Sequence, residues 1–211
     1  MITDYQINLA KNQWKSLPEI HFKNSTDGKE ASQETIVKLR YDDDFLYVEF
    51  DCRNNPFTIQ NTYTEHNTPM YNQEVFELFI SDELETPKHY LEFEINPNNA
   101  IWTGFIENPT GKAPLPAATK MVAPEQTGIT HNVKAQKDSW SGSFQIPFKL
   151  IGKKQKEYRI NFYRIISTKS HSEKNWSGSP ADCLYLCWSP TMSGKMPAFH
   201  RPAAFGTLVL E

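Results

Sequence analysis

The sequence predicts an all-β chain: an antiparallel two-sheet β-sandwich, jelly-roll-like, with little helix. Three observations carry that expectation. Apolar and polar residues alternate with period two in about ten short runs, and almost no stretch repeats every 3.6 residues. The runs are joined by Asn-, Pro- and Gly-containing turns rather than the helix-length crossovers of a parallel sheet. Aromatic residues make up 13% of the chain, with 14 Pro against 9 Gly, which suits short strands and shaped loops.

In chain order, Val37, Leu39 and Tyr41 share one face with Lys38 and Arg40 opposite, and Leu46, Val48, Phe50 and Cys52 repeat the pattern after the turn Asp42-Asp43-Asp44, a hairpin signal. Strands are further expected over 74–81, 89–96, 101–106, 130–136, 139–146, 158–167, 183–188 and 204–210. Single helical turns are expected at 148–156 and near Trp14. Three long irregular segments, 54–71, 107–126 and 169–182, are where function is expected to sit, because long loops in a compact domain usually bind something.

The 211 residues are read as one domain, 1–211, with enough chain for a core that needs no disulfide or metal. Lys and Arg number 22 against 25 Asp and Glu, a net charge of −3, and the only dense basic run is Lys153-Lys154-Gln155-Lys156. That excludes nucleic acid as an expected partner. No apolar run reaches the ~20 residues of a membrane span, and residues 1–10 lack the pattern of a signal peptide. Cys52, Cys183 and Cys187 have no metal or redox spacing and read as buried reduced thiols. The six His show no metal spacing, and HExxH, GxSxG, P-loop and dinucleotide fingerprints are all missing.

Strand alternation puts Phe76, Leu78 and Ile80 on one face and Val75, Glu77 and Phe79 on the other, so Glu77 is a carboxylate among apolar neighbours, able to pair with a cation or accept from sugar hydroxyls. In the next strand Leu91, Phe93 and Ile95 point inward, and Tyr90, Glu92, Glu94 and Asn96 outward as a solvated polar face. Arg164 shares the face of Tyr158, Ile160, Phe162 and Ile166, so it is expected to be partly buried and to need a carboxylate, with Glu77 the first choice, or a sugar's vicinal hydroxyls. Trp102, Trp140, Trp176 and Trp188 are the candidate stacking platforms. Trp140 alternates with Phe144 and Ile146 and is assigned to the core. His200 lies in a polar stretch before the last strand. Asp42, Asp43 and Asp44 could offer oxygens to Ca²⁺ but read as an ordinary Asp-rich turn.

In this order the pieces Thr35 to Asp43 with Leu46-Tyr47-Val48, Glu74-Val75-Phe76-Glu77-Leu78-Phe79-Ile80, Tyr90-Leu91-Glu92-Phe93-Glu94-Ile95-Asn96-Pro97, Ile146-Pro147-Phe148, Arg159 to Ile165, Trp188-Ser189-Pro190, His200-Arg201-Pro202 and Phe205-Gly206 resemble the family 9 carbohydrate-binding modules, in their bacterial family 9-like branch. The resemblance implies a β-sandwich that binds sugar without catalysis, gripping chain ends in a slot between two aromatic rings with polar residues beneath. Tyr71 corresponds to one ring, where the family carries Trp, and Glu77 to the carboxylate that bonds sugar hydroxyls. The second ring maps to Trp188 or Trp176, and Glu94 falls near the position of a strand arginine. The ligand-binding set expected is Tyr71, Glu77, Glu94, Asn96, Trp102, Arg164, Trp188 and His200, with Tyr71, Glu77 and Trp188 converging on a terminal hexose or pentose. Structural calcium and a secreted, periplasmic or cell-surface location serving polysaccharide degradation also follow from the resemblance. Calcium has no clear ligand set in the sequence, and no other cofactor is expected. Three alternatives remain: a glycoside-active enzyme using Glu92, Glu94 or Glu77, a haem-binding sandwich with Met192, Met196 and His200 as candidate axial ligands, and a purely structural interaction domain.

Overall fold

A computed structural model describes residues 5–16, 22–114, 119–174, 177 and 181–211. Its strands are β1 (Gln6–Leu9), β2 (Lys15–Ser16), β3 (Lys23–Asn24), β4 (Thr35–Tyr41), β5 (Phe45–Cys52), β6 (Val75–Ser81), β7 (His89–Ile95), β8 (Ile101–Glu107), β9 (Thr119–Met121), β10 (Thr130–Ala135), β11 (Trp140–Pro147), β12 (Glu157–Ser167), β13 (Cys183–Cys187) and β14 (Gly206–Leu210). One sheet runs β10-β11-β5-β4-β2. The other runs β1-β14-β12-β6-β7-β8-β9, with β13 on the second half of β12 and β3 beyond it. Among the described residues every pairing is antiparallel except β1 with β14, and helix is confined to single turns such as Phe148–Ile151. The expected sandwich is thus the observed one. The turn expected near Trp14 is instead extended: Lys15 pairs with Leu39, because the edge of β4 offers free backbone groups there.

Between the sheets lies a core of inward-facing residues including Val37, Leu39, Val48, Phe50, Phe76, Leu78, Phe93, Trp140, Phe144, Phe162 and Leu208. Alternation explains it, since each contributes from every second strand position. Trp188 belongs to this core as well, 1% exposed, with its ring edge-on to Tyr5 at 5.3 Å. Gly206 makes the room: a Cβ on it would lie 2.4 Å from the Trp188 ring. This corrects the expected placement of Trp188 beside Tyr71. Leu184, Leu186 and Trp188 share one parity, and that parity faces the other sheet.

Arg164 is also between the sheets, fully buried where partial burial is expected, and its carboxylate is Glu74 and not Glu77. Its Nη2 lies 2.8 Å from Glu74 Oε1, its Nε donates to the same oxygen at 2.9 Å, and Nη1 donates to the Glu34 carbonyl at 2.9 Å. Trp140 Nε1 and Asn55 Nδ2 also donate to Glu74. The reason is parity: Glu74 is in phase with Phe76 on the inward face, whereas Glu77 points to the opposite side of the sheet. Cys52, Cys183 and Cys187 are free thiols, each pushed up to about 12 by burial.

Candidate functional site

The nine-stranded sheet buries its second face too. Loops before β6 and before β14 fold over it and enclose a second apolar cluster that includes Met70, Val75, Phe79, Tyr90, Trp102, Tyr163, Ile165, Phe199 and Phe205. Side-chain amides hold the first of these loops down. Asn96 Nδ2 donates to Asn61 Oδ1 at 3.1 Å and to the Tyr63 carbonyl at 2.8 Å, and Asn61 Nδ2 donates to the Glu74 carbonyl at 2.9 Å. At its end the single turn Met70–Asn72 buries Met70 and turns Tyr71 outward, 48% exposed.

Between this loop, the 112–114 segment and residues 197–200 opens a cleft of about 650 Å³ over the middle strands of the sheet. Strand register builds its floor. Glu94 on β7 sits directly between Glu77 on β6 and Trp102 on β8, and Glu77 pairs on its other side with Tyr163 of β12. Glu92, two residues before Glu94, lies between Phe79 and Gly104. A Cβ on Gly104 would meet the Trp102 ring at 2.5 Å, so the missing side chain is what lets the indole lie back across β8 toward Glu92.

Three carboxylates therefore share one floor. Cross-strand partners place their Cβ atoms ~4.5–5.5 Å apart, and alternate residues of one strand ~6–7 Å. Glu77, Glu92 and Glu94 are 2%, 6% and 1% exposed, and none has an ion pair among the described residues. Burial raises all three: Glu92 is pushed up to about 8, partly pulled back by a hydrogen bond with Glu94, while Glu77 and Glu94 rise well above the carboxylate range, Glu94 also because of its two acidic neighbours. Glu94 Oε2 is buried with no hydrogen-bond partner among the described residues. His200 stacks on Phe79 with ring centroids 5.2 Å apart, and its Nδ1 is 2.8 Å from the Tyr90 hydroxyl. Burial pushes His200 down to about 4, so it faces the cleft as a neutral imidazole.

Of the residues singled out in the sequence, the cleft brings together Tyr71, Glu77, Glu94, Trp102 and His200. Asn96 holds the covering loop, and Arg164 and Trp188 lie on the other side of the sheet. Trp176, the other candidate for the second ring, lies outside the described residues. Glu92 corrects the reading of a solvated strand face, because β7 is a central strand and its outward side is roofed by loops. Phe79, Tyr185 and Phe199 also line the cleft and were not singled out. The parity shared by Val75, Glu77 and Phe79 was the available signal, since Val75 and Phe79 are apolar on the outward face of a central strand.

The acidic turn does not form a cation cage. Asp42 accepts from the backbone N–H of Asp44 and Phe45 and from the Tyr47 hydroxyl, and Asp43 is paired with Lys11 and Lys154. Of the residues named for haem, Met192 and Met196 are exposed at the surface, and His200 is held through its Nδ1 at the Tyr90 hydroxyl.

The fold is similar to the β-sandwich of solved family 9 carbohydrate-binding modules. Two solved structures of a family 9 module from Caldicellulosiruptor kristjanssonii, one in complex with glucose and one with cellotriose, superpose with a TM-score of 0.59 each, at 14% and 15% identity, covering 98% of this chain and 96% and 94% of theirs. A candidate carbohydrate-binding protein from Bacteroides uniformis superposes with a TM-score of 0.66 at 16% identity over 98% of this chain and 99% of that one. In sequence, the chain is 28% identical over 159 residues to a protein of Arthroderma benhamiae named "Extracellular protein", covering 71% of each. No family profile matches the chain.

Proposed function

We propose that the protein binds carbohydrate without catalysis, in the cleft on the outer face of the nine-stranded sheet. The observation that carries this reading is the floor itself: an indole and a row of carboxylates side by side across β6, β7 and β8, beside an open tyrosine ring. Aromatic rings pack against the apolar C–H face of a pyranose, and carboxylates accept from its hydroxyls with direction. The likeness of fold to modules solved with glucose and cellotriose supports the same reading. The "Extracellular protein" relative supports a place outside the cell, where such a module would deliver a polysaccharide-degrading system to its substrate.

The glycosidase alternative, with Glu77, Glu92 or Glu94 as the acid, is separated from binding by turnover of an oligosaccharide. The test is calorimetric titration with a panel of mono- and oligosaccharides, with products analysed after long incubation. Binding at about 10 μM to 1 mM, weakened about tenfold by Tyr71→Ala with no change in melting temperature, is the expected result. A panel with no binder, or binding untouched by Tyr71→Ala and Trp102→Ala together, would remove the cleft from the account.

A further inference from the structure

The carbohydrate reading leaves the charge of the site unexplained. A neutral sugar needs hydrogen-bonding groups, and one carboxylate among amides and hydroxyls would serve. Here three carboxylates lie on adjacent strand positions, each nine-tenths buried or more. The groups facing them do not neutralise them. Tyr163 comes from β12, Trp102 from β8, Tyr71 from the first covering loop, and neutral His200 from the last. Arg159, further along β12 on the same face, turns away to Thr207 Oγ1 and the Phe205 carbonyl. Lys112 is the one Lys or Arg among the described residues lining the cleft, and it is exposed on the 112–114 segment.

We propose that the cleft takes a glycan terminus bearing a free amine, of the glucosamine class, with its ammonium group seated on Glu77 and Glu94 and its ring between Trp102 and Tyr71. The proposal rests on the carbohydrate reading and names the sugar class. An ammonium group offers three donors and no acceptor, the complement of ionised carboxylates, whereas a hydroxyl in its place adds an acceptor to a site already rich in them. Charge-assisted bonds are also about twice as strong as neutral ones. Glu94 Oε2, buried and lacking a donor among the described residues, is the atom such a group would satisfy.

The proton balance follows. Glu92, pushed up to about 8, holds a proton at neutral pH in the empty cleft; an arriving ammonium keeps its own proton, and the cluster loses one to solvent as the ion pair forms. Affinity for an amino sugar is therefore expected to rise from about pH 5 to pH 7 and to fall again as the amine itself deprotonates.

The comparison to make is β-1,4-linked glucosamine trimer against cellotriose, which differ only in amine for hydroxyl at each C2, with the N-acetylated trimer and a simple alkylamine as further arms. Titration calorimetry near pH 6.5 in two buffers of different ionisation enthalpy reads both affinity and proton release. Expected are binding of the glucosamine trimer at least tenfold tighter than cellotriose or the acetylated trimer, proton release with the glucosamine trimer alone among the sugars, and loss of the preference in Glu77→Gln/Glu94→Gln. Cellotriose binding as tightly as the amine, or amine binding without proton release, would overturn the proposal while leaving carbohydrate binding intact. Alkylamine binding as tight as the trimer would overturn the sugar part of it. Failure of every sugar to bind would sink both readings. Proton release is measured on the wild type, so the test stands even if the double variant does not fold.

Discussion

Replacing Glu92 by Gln is expected to stabilise the protein above neutral pH and to leave it unchanged in acid. Glu92 is 6% exposed and pushed up to about 8 from an ordinary 4.5. In that window the native state holds a proton that the unfolded chain has released. The stability it contributes is complete below about pH 4.5 and is lost as pH rises through 8, at up to about 1.36 kcal/mol per pH unit. Across the whole window that amounts to about 5 kcal/mol, and to about 2–4 once water and side-chain rearrangement relieve part of the burial. Glutamine has no proton to lose, so its curve lacks this fall. His200 has the opposite sign: pushed down to about 4, it contributes stability present above 6.5 and lost as pH falls. The two effects oppose each other below pH 6.5, and His200 cancels in the comparison of wild type with variant. Urea unfolding followed by tryptophan fluorescence between about pH 5 and 9 measures the difference. The two proteins should agree at the acid end and diverge by about 2–4 kcal/mol at the alkaline end. Parallel curves across the range would mean that Glu92 is solvated, and the account of the cleft floor would fail.

Arg164→Met leaves Glu74 buried with its Trp140 and Asn55 bonds but no cation, a loss of about 3–5 kcal/mol, and adding Glu74→Gln is expected to recover part of it in chemical denaturation. Equal stability of wild type and Arg164→Met would place the guanidinium in water. Trp188→Ala empties a site between the sheets and is expected to cost about 3–5 kcal/mol while the folded protein keeps its sugar affinity, as a binding titration at low temperature would show. Lost affinity with unchanged stability would return Trp188 to the binding site.

Period-two alternation, read from the sequence alone, was enough to determine the sandwich, the inward rows such as Phe76, Leu78 and Ile80, the core position of Trp140, and the burial of Arg164 with a carboxylate. These depend on local parity, which a strand's geometry imposes whatever lies around it. The same parity holds for Leu184, Leu186 and Trp188, and it places Trp188 in the core rather than beside Tyr71. Partner choice is not local. Glu74 rather than Glu77 meets Arg164 because the two glutamates lie on opposite faces of one strand, and only the stacking of the sheets decides which face meets which neighbour. The cleft is further removed from sequence. Glu92 and Glu94 carry the pattern of a solvated face, and what buries them is the register that sets Glu94 between Glu77 and Trp102, together with loops that return from 60 and 200 to roof the sheet. Alternation says that a side chain points away from the core; whether water or another part of the chain waits there is decided by contacts between residues far apart in sequence.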